Sequence, residues 1–151
     1  MMAAMNYELF MNAAVAEARA AIEAGERPRG AVAVLGEALV ARGHERVLAS
    51  GDPTAHAAVV TLREAARRLG RTSLGGVTIF SVVEPCSMCV GAMLGSDVDG
   101  LVFALADPQA GAAGSALQLA RHPGLRRRLV VVSGILQADA GELFEARPTA
   151  V

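Results

Sequence analysis

Val77-Thr-Ile-Phe-Ser-Val-Val83, running without a break into Glu84-Pro85-Cys86-Ser-Met-Cys89, is the stretch on which the fold turns. Its first seven residues are mostly β-branched or aromatic, a composition that suits a pleated, buried surface and predicts a buried strand. Gly75-Gly76 releases the chain into that strand. Pro85 follows it where a helix can open, because the N–H that proline lacks has no partner in a first helical turn anyway. A short helix from about Cys86 to Leu94 is expected. Strand passing directly into helix is the building unit of a layered α/β domain.

Reading outward from this unit extends the alternation. Upstream, Asp52-Pro53-Thr54 predicts a helix start with Asp52 as N-cap, and Ala57, Val60, Leu62, Ala65, Ala66 and Leu69 carry its apolar face to Gly70. Before it, Ala31 to Leu35 and Ala38 to Arg42 predict two short strands joined by a tight Gly36-Glu37 turn. Asn6 to Ala24, with Leu9, Phe10, Ala13, Ala14, Ala16, Ala20 and Ile22 at near-helical spacing, predicts a first helix that Gly25 stops. Downstream, Leu101 to Ala104 and Leu129 to Val132 predict two more buried strands. Between them lie the Asp107 to Gly114 loop and a short helical piece around Leu117, and Leu136 to Phe144 closes as a helix. The order implies an α/β domain with a central mixed sheet. A hairpin stands at one side, crossover helices join the parallel strands, and helices cover both faces.

Composition narrows the function. The 151 residues suit one domain, and 53% hydrophobic against 19% charged residues exclude a disordered chain. No charge-free run reaches the roughly 18 to 20 residues of a membrane span, so no membrane partner is expected. Lys+Arg 14 against Asp+Glu 15 leaves a net charge of -1, which gives no overall basic field for nucleic acid and favours a small ligand. Every basic residue other than histidine is arginine, so a lysine nucleophile is excluded. Met1 to Ala24 lacks the basic and continuous apolar regions of a secretory signal, and a cytoplasmic address is expected.

The chemistry lies in three side chains. Cys86 and Cys89, the two cysteines of the chain, form a C-x-x-C at a predicted helix start. There the sulfurs lie one turn apart on the same face, and the positive end of the helix favours thiolates, the form that binds zinc. His56, 30 residues earlier at the opening of the neighbouring helix, supplies a third ligand. By itself the cysteine pair also reads as a redox motif, and the histidine by itself as a hydrogen-bonded core residue. Together they predict a metal site. One His and two Cys leave a fourth tetrahedral position open, the arrangement of a catalytic zinc ion.

Asp52-Pro-Thr-Ala-His56-Ala-Ala58, followed by Glu84-Pro-Cys86-Ser-Met-Cys89-Val-Gly-Ala-Met93, resembles the zinc-dependent cytidine and nucleobase deaminase superfamily, nearest to its tRNA adenosine deaminase and guanine deaminase branch. Glu26 to Val34, Asp107 to Ser115 and Val132 to Leu136 look like that branch too. The resemblance implies one deaminase domain over residues 1–151 with the three-layer cytidine-deaminase-like fold, a central mixed five-stranded sheet with helices on both faces. It also implies a homodimer, Zn²⁺ held by His56, Cys86 and Cys89, and hydrolytic removal of a ring amine as ammonia. In that family a glutamate two residues after the histidine moves the protons. Here the position is Ala58, which implies a chain that binds zinc but turns over very slowly. It is read either as an inactivated variant of a glutamate-bearing enzyme, the favoured account, or as a non-catalytic zinc-binding pseudo-deaminase subunit. Glu84 is the only carboxylate beside the cysteines that offers proton transfer instead, although its place in the family suggests a structural role.

Departures from the tRNA-editing pattern direct the substrate reading. Glu45 stands where those relatives have an asparagine that touches base or ribose, and a carboxylate there accepts from two adjacent N–H donors. Arg29 stands where they tend to have a small apolar residue, and is expected to pair with Glu45. Ala57 lines the site through its backbone, and Phe144 is a candidate cap over the pocket. Few aromatic residues, 3% of the chain, and a segment Glu145 to Val151 without a basic tail count against RNA. Arg126-Arg127-Arg128 is the one basic cluster that favours it. The substrate expected is therefore a free nucleobase or analogue of the guanine, isocytosine, cytosine or amino-triazine type, with tRNA-specific adenosine deamination as the alternative.

Overall fold

Asn6 caps the first helix with its own side chain, its Oδ1 accepting the Leu9 N–H at 3.0 Å and pairing one of the donors that every helix start leaves free. The computed structural model describes residues 5–145, so all of the Glu145 to Val151 segment weighed above against RNA except Glu145 lies outside the described residues. The elements are α1 (Tyr7–Glu23), β1 (Gly30–Leu35), β2 (Ala38–His44), α2 (Val47–Ser50), α3 (Ala57–Leu69), β3 (Val77–Val83), α4 (Ser87–Gly95), β4 (Gly100–Leu105), β5 (Val130–Ser133) and α5 (Gln137–Glu145). The strands lie in the order β2-β1-β3-β4-β5. β1 runs antiparallel to β2 and to β3, while β3, β4 and β5 are parallel. This is the mixed five-stranded sheet that the sequence predicts, hairpin at one side included.

Strand alternation divides the apolar residues between two cores. Ala31 and Ala33 of β1, with Val77 and Ile79 of β3, face a layer holding Ala57, Leu62 and Ala65 of α3 and Cys89, Val90 and Met93 of α4. Val32, Val34, Phe80 and Val82 face the other way, onto Phe10, Met11 and Ala14 of α1 and Ala140 and Leu143 of α5. Phe80 is fully buried there, with the Phe10 ring 5.5 Å away at 54°. Burial of each such large side chain contributes about 1.5–3 kcal/mol. α1 lies so close to β1 that a Cβ at Gly30 would overlap backbone atoms of Ala14 and Ala18. Among the described residues, no helix is long and apolar enough to cross a membrane.

Two local expectations are corrected. Asp52-Pro53-Thr54 is not the first turn of α3, which begins at Ala57 with His56 as its N-cap. The Asp52 carboxylate instead accepts the Thr54 N–H at 2.8 Å and the Thr54 hydroxyl at 2.7 Å, closing a turn of its own, and the Ala55 N–H donates to the Asp52 carbonyl at 3.1 Å. The helical piece around Leu117 is absent among the described residues. That segment instead forms an isolated antiparallel bridge, Ala113 with Gln118, and the Leu119 N–H donates to the Ala112 carbonyl at 2.9 Å.

One element had no signal in the sequence pattern. The four-residue α2 is held by the buried Glu26 carboxylate, which accepts the Leu48 N–H at 3.0 Å and the Ala49 N–H at 2.8 Å. Those backbone donors, that of Leu48 first, hold the Glu26 carboxyl below its usual range.

Candidate active site

The late start of α3 decides where His56 stands. As the N-cap residue it has extended backbone, with φ -69° and ψ 154°, and Cys86 occupies the same position on α4 with φ -75° and ψ 176°. Both helices pack on one face of the sheet, and their N-cap residues come together beyond the end of β3, its middle strand. His56 Nδ1 lies 3.5 Å from Cys86 Sγ and 3.6 Å from Cys89 Sγ, and the two sulfurs are 3.7 Å apart. A tetrahedral zinc ion with Zn–S of about 2.3 Å and Zn–N of about 2.0 Å has ligand-to-ligand edges of about 3.5–3.8 Å. The three atoms form one triangular face of such a tetrahedron. Residue types and spacing both fit the group.

The thiols are already differentiated. Cys86 is pulled down to about 4, chiefly by the hydrogen bond it shares with Cys89 and further by His56. Cys89, its partner in that bond and buried besides, is pushed well up.

A cavity of about 110 Å³ opens beside these atoms, lined also by Arg27, Arg29, Glu45, Ala57, Ala58 and Asp107. Ala58, where the resemblance places the proton-moving glutamate, is the second residue of α3 and only 3% exposed, so that position carries a buried methyl group. Ala57 lines the cavity, its carbonyl held by the Thr61 hydroxyl at 2.8 Å.

Glu84 is buried at the end of β3 and beside the cavity, with both oxygens occupied. Oε1 accepts the Asp107 N–H at 3.1 Å and the Ser115 hydroxyl, and Oε2 accepts the N–H groups of Ala113 at 2.9 Å and Ser115 at 3.1 Å. The carboxylate thereby ties the 107–115 loop to the strand that delivers the cysteines. The backbone of Gly111 comes so near that a Cβ there would overlap the Glu84 carboxyl.

The structure separates the other site candidates. Glu45 is buried at the cavity, but its partner is Arg27, whose Nε and terminal nitrogen reach the two carboxylate oxygens at 2.7 and 2.6 Å. The expected Arg29–Glu45 pair is corrected accordingly. Arg27 had no distinguishing mark in the sequence beyond its place before Pro28. Phe144 is 38% exposed on α5, a helix packed on the far face of the sheet with α1, and it does not line the cavity. In the basic cluster, Arg127 donates to the Asp97 carbonyl at 3.1 Å and to the Asp99 carboxylate at 3.3 Å, which partly neutralises it.

Residues 5–105 match the family described as the cytidine and deoxycytidylate deaminase zinc-binding region. The chain belongs to that family. This deaminase domain is 37% identical over 139 residues to the tRNA-specific adenosine deaminase of Bacillus subtilis, a match covering 92% of the chain and 86% of the relative. It is 34% identical to that of Agrobacterium fabrum, covering 89% of each. Among solved structures, one from a study of A-to-I editing by tRNA:A34 deaminases at the wobble position superposes with a TM-score of 0.86 at 34% identity, covering 89% of this chain and 98% of the other. The guanine deaminase from Nitrosomonas europaea superposes with 0.76 at 26% identity, covering 96% and 85%. The fold is the cytidine-deaminase-like one, and the cofactor that the family and the His/Cys/Cys group both fit is Zn²⁺.

These relatives overturn the free-nucleobase reading drawn from Glu45 and Arg29. The similarity to tRNA-specific adenosine deaminases runs at 34–37% identity over most of the chain. The physical ground of that reading fails as well. The two Glu45 oxygens offered to adjacent N–H donors of a base already face the two donors of the Arg27 guanidinium.

Proposed function

We propose that the deaminase domain is built to remove the amine of an adenosine in tRNA by zinc-dependent hydrolysis. The observation that carries this reading is the 37% identity to a tRNA-specific adenosine deaminase across 92% of the chain. His56 Nδ1 and the sulfurs of Cys86 and Cys89 hold the metal. Bound there, zinc supplies Lewis-acid activation of water for attack on the carbon that bears the amine. The chain's own groups position the substrate, with the backbone at Ala57 and the loop tied down by Glu84 forming walls of the cavity. Homodimer assembly in the cytoplasm, expected from the resemblance, belongs to the same proposal and is tested by sedimentation.

Proton transfer is what this chain lacks. The Ala58 methyl neither takes nor gives a proton, and the Glu84 oxygens are committed to four donors of the chain itself. Positioned general acid–base groups contribute roughly 10²–10⁴-fold to rate. The zinc-loaded Ala58→Glu variant should therefore convert adenosine to inosine in a tRNA anticodon stem-loop, with ammonia released, at least about 100-fold faster than the chain as it stands. Ala58 itself favours a second reading, a zinc-binding subunit without catalysis. Silence from both proteins on tRNA, at full zinc content, would establish it.

A further inference from the structure

The charged groups around the cavity are paired unevenly. Glu45 gives both oxygens to Arg27. Asp107 commits its Oδ1 to its own loop, accepting the N–H groups of Gln109 at 3.1 Å and Ala110 at 3.2 Å. Arg29 has neither arrangement. Its Nε is buried without a hydrogen-bond partner, and no ion pair reaches its guanidinium among the described residues. The side chain is half-buried, so the remainder keeps an approach from solvent. Burial, and then the neighbouring charge of Arg27, pull the guanidinium below its ordinary value, and an arginine side chain is always charged in proteins. Its place is rigidly set. The Arg29 N–H donates to the Arg27 carbonyl at 2.7 Å across Pro28, and the Glu45 N–H donates to the Arg29 carbonyl at 3.1 Å.

A desolvated cation facing a cavity is costly unless a ligand completes it. A neutral base offers an acceptor but no charge, whereas an oxyanion meets the planar N–H fork with both. At about 110 Å³ the cavity is far smaller than the ~300–1,000 Å³ of pockets that enclose a drug-sized ligand. A nucleotide whose base enters it leaves sugar and phosphate at the rim.

We propose that Arg29 anchors a phosphate oxygen of the nucleotide whose base occupies the cavity, making it a specificity-determining residue for phosphorylated substrates over the bare nucleoside. The inference rests on the adenosine-in-tRNA reading for the identity of the base, but the anchor itself serves a phosphate within an RNA strand or on a free monophosphate.

The test is equilibrium binding to the zinc-loaded chain, in which Ala58 keeps turnover from consuming the ligand. Adenosine, adenosine monophosphate and a tRNA anticodon stem-loop are titrated against the parent, Arg29→Gln and Arg29→Lys. Zinc content and circular dichroism confirm that each variant folds. Arg29→Gln should weaken the phosphate-bearing ligands about tenfold or more and adenosine less than about twofold. It should also flatten the stem-loop's log K against log salt by about 0.7–0.9, the loss of one phosphate contact, with Arg29→Lys restoring that slope. Equal losses for adenosine and its monophosphate would overturn the anchor in favour of base reading, and so would no loss on any ligand or no binding of any at millimolar concentration. An Arg29-dependent monophosphate with no stem-loop binding sinks the tRNA reading and keeps the anchor. Stem-loop binding that ignores Arg29, with editing restored by Ala58→Glu, does the reverse.

Discussion

Replacing Glu84 with glutamine is a nearly isosteric change that should destabilise the domain by about 2–4 kcal/mol. The carboxylate accepts four donors, three backbone N–H groups and one hydroxyl, at a position only 1% exposed. A glutamine keeps a single acceptor oxygen. Turned toward Ala113 and Ser115 it satisfies those two amides, and its NH₂ then faces the Asp107 N–H, which is left without an acceptor. The Ser115 hydroxyl escapes by rotating to accept. One stranded amide costs roughly 1–3 kcal/mol, and losing the charge on the remaining bonds roughly another 1. For a domain of this size that shifts the midpoint of thermal unfolding by roughly 5–15 °C. Urea denaturation of parent and Glu84→Gln measures the difference, and hydrogen exchange at Asp107, Ala113 and Ser115 localises it. A loss below about 0.5 kcal/mol with unchanged exchange at those amides would refute the argument that Glu84 ties the loop.

Three further outcomes follow from the same geometry. Zinc binding needs both sulfurs as thiolates. With Cys86 held to about 4 and Cys89 pushed up, the metal-free pair carries one proton at neutral pH. Titration in weak buffer should show about one proton released per zinc beyond the share that follows ionisation of a zinc-bound water near pH 7, and two beyond that share would mean that the Cys86–Cys89 hydrogen bond does not form. Gly111→Ala drives a Cβ into the Glu84 carboxyl and the Asp107 carbonyl, and should cost about 1–3 kcal/mol by denaturation, where most surface glycine-to-alanine changes are near neutral. Glu64 is held at about 2 by Arg67 and then Arg68. A folded value below the unfolded one means stability present above the ordinary carboxylate range and lost as pH falls through about 2. The stability gap between parent and Glu64→Gln should therefore close across that acid range, and a gap independent of pH would contradict the pairing.

What the sequence disclosed and what it hid divide along a physical line. β3 was legible because burial on both faces demands the β-branched run Val77 to Val83, and the metal triad because only a few residue types bind zinc at that spacing. Asn6 and Asp52 carry similar side chains, yet one caps α1 and the other closes a separate turn, since the same oxygen serves either structure and the following residues decide. Partners distant along the chain left no trace. Glu45 and Arg27 are 18 residues apart, Glu26 reaches forward 22 and 23 residues to α2, and Glu84 reaches 23 to 31 residues to its loop. Without the Arg27 pair in view, Glu45 read as a free acceptor, and the substrate reading built on it fell with that premise.

His56 and Cys86 stand 30 residues apart, with α3 and β3 strung between them. A metal gripping both ends closes that length into a ring, which restricts the unfolded chain as a cross-link does, by about 3–4 kcal/mol for a loop of this size. Unlike a disulfide, this staple can be withdrawn by a chelator without any change of oxidation state. A preparation with less than one zinc per chain then holds two populations that unfold at different temperatures, and metal supply sets the fraction that survives a given heat challenge.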